Sequence, residues 1–304
     1  MTPFGKEGVS ARCPVCKGQN VGPYRRGRRL RKHSDYSITA PAYGTSDTLV
    51  SCRGCGTIFV DPFPSKESLK SLYEGMKDEI YLEEEEMRRR TAERGLLFVE
   101  KYVRKGRLLD VGCFSGVFLD VAKQRGWDVM GIEPSSWARN VAEERFGLRI
   151  LGGTLKEASF PSASFDAVSF IDILEHLTDP YETLVEVRRI LKEEGVLYLM
   201  TPNIESLARR LLGDRWWGFR QEHIVYFSQK SLGALLRRIG FESLSERPFR
   251  HIFTFDAAIR RIKGLSPLIY HVTQPLVRLS GLGQRHFSVN FYDQIELVAG
   301  KKKE

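Results

Sequence analysis

The sequence predicts an α/β fold, a doubly wound parallel sheet covered by helices on both faces, with a small cysteine-rich ribbon ahead of it. From Arg107 onward, short apolar runs alternate with amphipathic segments, the pattern of strand, crossover helix and parallel strand. Before that stretch, Cys13, Cys16, Cys52 and Cys55 form two Cys-x-x-Cys pairs with 35 residues between them. The 304 residues, 42% of them apolar, suffice for one large core or a core with a small appendage, so general disorder is excluded. Charged residues make up 28%, and no window approaches the roughly 18 apolar residues of a spanning helix, which excludes an integral helical membrane protein. The opening MTPFGKEGVS lacks an apolar stretch of the signal-peptide kind, so the cytoplasm is the expected location.

Each cysteine pair is closely followed by a glycine, Gly18 or Gly56, which allows the tight turn that aims two thiolates at one ion. Two such turns predict a closed four-sulfur zinc site of structural type over residues 1–62. Disulfides are the alternative, but a cytosolic chain keeps its thiols reduced. Between the pairs, RRGRRLRKH is basic and has no interleaved aromatic platform, so it reads as a solvated loop more than a phosphate-gripping ribbon. TIFVDPFPS closes the ribbon, and Ser65 has the character of an N-cap for the helix KESLKSLYEG. In the next run, Glu84/Arg88, Glu85/Arg89 and Glu86/Arg90 are spaced i,i+4 with the acid first, which predicts a solvent-facing helix. Residues 63–106 are thus expected to form a helical linker and cap.

The strand and helix alternation then begins with RLLDVG, GVFLDVAKQRG, WDVMGIE and SSWARNVAEERFG, and continues with FDAVSFI, a helix over about 180–192, and GVLYLMTPN. Ligands of such sheets sit beyond the C-terminal ends of the strands. The first of these strands ends in Asp110, Val111 and Gly112, with Gly116 following, and the second ends in Glu133 and Pro134. Glycines there let a ligand approach the backbone and the next helix N-terminus, and an acid closing the second strand can accept both hydroxyls of a ribose. A nucleoside cofactor is implied. A dinucleotide site needs G-x-G-x-x-G, but Phe114 takes the place of the second glycine and Asp110 would repel a pyrophosphate. The expected cofactor is therefore the zwitterionic nucleoside S-adenosylmethionine (SAM).

LLDVGCFSGVFL, the acid in GIEPSSWA, FPSASFDAV, DILEHLTDP and TPN occur in the order found in class I SAM-dependent methyltransferases, and this region of the chain resembles that family over roughly residues 60–300. The ribbon followed by DPFPS resembles the N-terminal zinc ribbon of a bacterial subgroup. The resemblance implies a Rossmann-like seven-stranded sheet over 107–304, with NFYDQIELVAG as its antiparallel last strand. By the same resemblance, Asp110 supports the methionine moiety, Gly112 and Gly116 line it, Glu133 binds ribose, the region of Thr154 and Leu155 contacts adenine, and Asp172 faces the methionine side. Phe114 departs from the glycine that family members often carry there.

Asp172, Glu175 and His176, with the distant His223, are similar to the set that holds a divalent ion in small-RNA 2′-O-methyltransferases, and related sequences occur in ubiquinone-pathway O-methyltransferases. Such a set could hold Mg2+ or Mn2+ and acidify a substrate hydroxyl. The sequence favours the metal-free alternative, with Glu175 and His176 as scaffold and His223 as general base or hydrogen-bonded loop residue. Trp216, Trp217 and Phe219 with Arg215 and Arg220 either clamp an acceptor or form a hydrophobic latch. Residues 250–285 read as a lid insertion: Ile252, Phe255, Ile259 and Ile262 recur at helical spacing beside Arg260, Arg261 and Lys263. The same basic amphipathic stretch could instead touch an anionic membrane.

Charge is distributed unevenly. Residues 1–60 carry 10 basic and 3 acidic side chains (+7), residues 61–206 carry 20 and 27 (−7), and residues 207–304 carry 17 and 8 (+9). Basic ends could face an anionic partner. The expectation is an O-methylating enzyme acting on a small molecule or a glycan or lipid-linked precursor. The alternatives are a nucleic-acid methyltransferase and a SAM-binding module without turnover.

Overall fold

A computed structural model of the chain describes residues 12–27, 44, 46–265 and 267–303. Most of the basic run between the cysteine pairs, residues 28–33, lies outside the described residues, as do the side chains of Arg261, Ile262 and Lys263.

The ribbon contains β1 (Val21–Arg25), β2 (Thr48–Cys52) and β3 (Ile58–Asp61), paired antiparallel in that order. Helices α1 (Lys66–Glu74), α2 (Glu79–Glu83) and α3 (Glu85–Val99) follow. Ser65 caps α1 by accepting from the Ser68 amide. The run expected as one solvent-facing helix breaks at Glu84, and α3 has a dry side. Its three acid-first pairs all form, at 2.8–3.1 Å. The opposite side buries Met87, Ala92, Leu96, Phe98 and Val99. Charge pairing marked one face of the helix and did not reveal the other.

The large sheet has seven strands: β4 (Arg107–Val111), β5 (Asp128–Glu133), β6 (Ile150–Gly152), β7 (Phe165–Ile171), β8 (Leu191–Pro202), β10 (Phe241–Pro248) and β13 (Gln294–Lys301). Their spatial order is β10-β13-β8-β7-β4-β5-β6. The five strands β4 to β8 run parallel, and β13 lies antiparallel to both β8 and β10. The expected antiparallel last strand is thus present. Crossover helices are α4 (Val117–Gln124), α5 (Ser136–Phe146), α6 (Leu155–Ala158) and α7 (Pro180–Ile190). Then come α8 (Leu207–Leu212), the short β9 (Val225–Tyr226) and α9 (Gln229–Ile239).

Side chains alternate across the sheet, as strand geometry requires. Leu108, Ala167, Val196 and Val298 pack with α3 and α4, while their neighbours Leu109, Val168, Leu197 and Leu297 pack with α7 and α9. The chain leaves β4 towards β5 and β6, then returns to β7 on the other side of β4. That reversal opens a crevice at the C-terminal ends of β4 and β7, where ligands of such sheets bind.

Two features extend beyond the sheet. First, β9 pairs with β3, Ile58 opposite Tyr226 and Phe59 opposite Val225, so a loop of the large sheet completes the ribbon. One apolar cluster runs from Cys13, Leu49 and Phe59 through Tyr226 to Leu109 and Phe170. Second, β11 (His251–Thr254) and β12 (His286–Val289) form a hairpin stem that carries α10 (Phe255–Leu265) and α11 (Pro267–Ser280). On α10, Ala257 and Ile259 are buried, which suits a lid, whereas α11 exposes Leu268, Ile269, Val272, Leu276 and Leu279. Among the described residues, no helix is long and apolar enough to cross a membrane.

Gly95 is where α3 approaches the sheet. A Cβ there would stand 2.7 Å from the Tyr198 hydroxyl, which is held by a 2.8 Å bond to buried Glu296. Gly95→Ala is expected to destabilise the chain by about 1–3 kcal/mol through overpacking. That outweighs the roughly 1 kcal/mol of helix propensity gained. Urea denaturation measures it, and an unchanged or higher midpoint would show that α3 can shift.

Candidate functional site

The turn after β4 is built from left-handed residues. Gly112 (φ 73°), Phe114 (φ 45°) and Gly116 (φ 78°) fold the chain back into α4. At Gly112 a Cβ would lie 2.3 Å from Ile173 Cδ1, so both the conformation and the space require glycine. Gly116 is a packing position. It does not line the cavity; a Cβ there would meet Leu148 at 2.7 Å and Ala142 at 3.0 Å, so it seats α4 against α5.

Asp110, the last but one residue of β4, is buried and accepts a 2.7 Å hydrogen bond from the Ser169 hydroxyl of β7. Burial pushes its pKa up to about 7; the Ser169 bond opposes the rise and the nearby Glu133 charge adds to it. Glu133 ends β5, and each of its carboxylate oxygens takes one backbone amide, Phe114 N–H at 2.9 Å and Ser135 N–H at 2.8 Å. Burial nonetheless raises its pKa. The Phe114 ring packs on Tyr81 of α2 (4.5 Å between centroids) and on Trp137 of α5 (5.8 Å). The helices before the sheet therefore close this end of the site. Pro134, Thr154 and Leu155 stand on the same cavity, and Thr154 also caps α6 in a reciprocal pair with Glu157.

Asp172 follows β7 with φ 54°, and its buried Oδ1 has no hydrogen-bond partner among the described residues. Burial lifts its pKa to about 6. A 3-10 turn, Leu174–His176, then places Glu175 and His176. Glu175 Oε2 accepts from the Thr201 hydroxyl at 2.8 Å; Oε1 is unpartnered among the described residues and lies 4.0 Å from His223 Nε2. His176 Nδ1 is 2.9 Å from the Glu222 carbonyl oxygen and 2.8 Å from the Tyr73 hydroxyl of α1, and His223 Nδ1 is 2.9 Å from the Gly218 carbonyl oxygen. A carbonyl only accepts, so each Nδ1 carries the proton and each Nε2 presents a lone pair. Burial lowers the pKa of His176 to about 4 and that of His223 to about 3, keeping both neutral. Burial also raises Glu175, with Asp172 adding to the rise.

The loops after β7 and β8 thus meet, as expected: Glu175, His176 and His223 offer ligand atoms all within 4.8 Å of one another. Asp172 is not in that cluster. The donor set fits a divalent cation, and with two imidazoles it suits Mn2+ better than oxygen-seeking Mg2+. At the other end of the chain, Cys13, Cys16, Cys52 and Cys55 also converge within 4.8 Å, with Cys13 to Cys55 at 3.5 Å and Cys16 to Cys52 at 3.4 Å. All five cysteines are free, so the disulfide alternative is not realised.

The acids and histidines of the sheet surround one cavity of about 1580 Å³. Asp110, Gly112, Glu133, Asp172, Glu175, His176 and His223 all line it. Of the aromatic run, Phe219 is fully buried behind the cavity, while Trp216, also buried, and Trp217 both stand on its wall, where Trp217 reaches Asp293 with its indole N–H at 2.7 Å. Arg220 pairs with Glu222 beside the cavity, and Arg215 is exposed away from it. Sequence reasoning missed Tyr73, Tyr81, His251 and Asp293, which line the cavity from the preceding helices and from the lid stem. Nothing in the spacing of the two tyrosines marks them, because their neighbours come from residues about 30–100 positions away.

A doubly wound seven-stranded sheet with an antiparallel penultimate strand and buried acids closing its first two parallel strands defines an α/β domain of the nucleoside-cofactor class. A family model described as a methyltransferase domain matches residues 83–246, more than half of the chain, which belongs to that family. A ubiquinone biosynthesis O-methyltransferase of Cereibacter sphaeroides is 28% identical over 153 residues, covering 46% of this chain and 62% of the relative. An uncharacterized methyltransferase of Schizosaccharomyces pombe is 34% identical over 124 residues, covering 35% of this chain and 44% of the relative. The chain thus spans about half of the length of these curated relatives. In fold, it is similar to a SAM-dependent methyltransferase from Archaeoglobus fulgidus, with TM-score 0.52 and 20% identity over 74% of this chain and 100% of the other.

The electrostatics carry a pH signature. Asp110 has a folded-state pKa of about 7 against an ordinary 3.8, so the folded chain holds this proton more tightly than the unfolded one. The stability it contributes is complete below about pH 4 and is lost as pH rises through about 7, by about 4 kcal/mol at most. Asp110→Asn should flatten this part of the slope in cofactor-free protein, read from urea midpoints between pH 4 and 8. Equal slopes in both proteins would refute the buried-acid account.

Proposed function

We propose that the chain is a SAM-dependent methyltransferase that methylates a hydroxyl oxygen of a small molecule or of a lipid-linked glycan precursor. The observation that carries this reading is the pair of buried acids at the ends of neighbouring strands, Asp110 and Glu133, inside a methyltransferase-family fold. An ammonium group beside Asp110 would supply the positive charge that its burial withholds. Each Glu133 oxygen holds one amide and keeps a lone pair for one of two vicinal hydroxyls. Gly112 lets the methionine end approach the backbone, Thr154 and Leu155 flank the adenine, and Asp172 faces the sulfonium side. Methyl transfer is an in-line displacement, so the cavity's main task is to hold the acceptor oxygen on the carbon–sulfur axis.

The acceptor class rests on two supports. Relatives are named ubiquinone biosynthesis O-methyltransferases, which supports oxygen as the methylated atom and a small-molecule acceptor. The uncovered apolar face of α11, with Leu268 76% and Leu279 86% exposed, favours an acceptor presented at a lipid surface. Purified protein with methyl-labelled SAM and host lysate is expected to label the lipid or small-molecule fraction, and Glu133→Gln should weaken SAM binding at least about tenfold by calorimetry. Label in nuclease-sensitive material would establish the nucleic-acid alternative instead, and SAM binding with no labelled product in any fraction would establish the non-catalytic one.

Cys13, Cys16, Cys52 and Cys55 hold a structural zinc ion in this reading. Sulfur atoms 3.4–3.5 Å apart are close to the roughly 3.8 Å edge of a tetrahedron with Zn–S near 2.3 Å. Glu175, His176 and His223 form a protein-only scaffold, and a divalent ion bound there would supply acidification of the acceptor hydroxyl. Metal analysis should return one zinc per chain, lost together with ribbon structure in Cys52→Ser. No zinc would overturn the first assignment, and a second ion removed by Glu175→Gln would overturn the protein-only scaffold.

A further inference from the structure

The lid stem carries a histidine and carboxylate pair that the sequence motifs do not include. His251 of β11 places Nε2 2.8 Å and 2.9 Å from the two carboxylate oxygens of Asp293, just before β13. Asp293 is buried and is also gripped by the Trp217 indole N–H at 2.7 Å. The imidazole is sandwiched by aromatic rings, parallel to Phe253 at 5.6 Å and edge-on to Phe249 at 4.8 Å. These contacts fix both the plane of the ring and its tautomer. A carboxylate only accepts, so Nε2 carries the proton and Nδ1, on the other edge, presents a lone pair. The His251 side chain keeps 21% of its surface exposed, and both residues line the cavity. The charged groups Asp172, at the end of β7, and Arg88 line the same cavity as the pair.

We propose that His251 is the general base for methyl transfer and that Asp293 is its positioning residue. The proposal rests on the hydroxyl-methylating reading above and assigns its proton. As the acceptor oxygen bonds to the methyl carbon, the carbon–sulfur pair leaves with sulfur as a neutral thioether. The hydroxyl proton passes to His251 Nδ1, and the positive charge lost from the sulfonium reappears on an imidazolium that Asp293 stabilises. The other two cavity histidines lack this arrangement. His176 and His223 lean on backbone carbonyls, and the carboxylate near His223, Glu175, faces the same Nε2 edge that would have to receive a proton.

The test uses full-length protein, methyl-labelled SAM and the acceptor-containing lysate fraction. His251→Ala is expected to lower the labelling rate about 10²–10⁴-fold while leaving SAM binding within twofold, with partial rescue by added imidazole. Asp293→Asn should lower the rate and shift the pH at which it rises. A His251→Ala protein that binds SAM and labels at the wild-type rate would overturn the assignment, as would a loss that imidazole does not rescue while Asp293→Asn leaves the pH profile unmoved. Wild-type protein that binds SAM and labels only nitrogen or carbon would instead sink the hydroxyl reading beneath it.

Discussion

The arrangement of this site depends on a steric constraint at the end of β4. The chain must turn sharply enough to bring an amide onto Glu133 and start α4, and it does so through three left-handed residues, Gly112, Phe114 and Gly116. Two of them are glycines with no room for a Cβ. The third is a phenylalanine, a conformation that costs roughly 1–2 kcal/mol in a residue with a side chain. Burial of its ring among Tyr81, Trp137 and Met76 offsets that cost. The strained position is thus tied to α2, so the helices preceding the sheet are part of the site's wall.

A second theme is the concentration of carboxyl groups that burial has stripped of water. Asp110, Glu133, Asp172 and Glu175 all line one cavity, and each has its pKa raised chiefly by burial. A folded protein tolerates such groups at a cost to stability, and they mark the place where a ligand's charge and hydroxyls would complete the electrostatics. On the same cavity, the Asp293 carboxylate is engaged by His251 and Trp217. Its partners are protein side chains, which is why it acts on a neighbouring residue.

The ribbon and the lid stem are anchored to the sheet in similar ways. Strand β9, from the loop beyond β8, completes the ribbon's sheet, and its neighbour His223 stands in the cavity. The lid stem begins directly after β10 and ends directly before β13, so His251 and Asp293 are held at the margin of the same sheet. Anything that displaces either appendage moves a cavity residue.

Local chemistry made much of this legible in the sequence. Apolar alternation predicted the parallel sheet, the paired Cys-x-x-Cys turns predicted the four-sulfur cluster, and the acids at the strand ends followed from where such sheets bind ligands. Each is a short-range pattern, governed by backbone periodicity or by two or three neighbouring residues. The buried side of α3, the place of β9 in the ribbon, Gly116 as a packing position, and the meeting of His251 with Asp293 were decided by the tertiary structure alone. In each case the partner lies tens of residues away, and only the packed sheet sets the distance, the burial and the tautomer that give those side chains their chemistry.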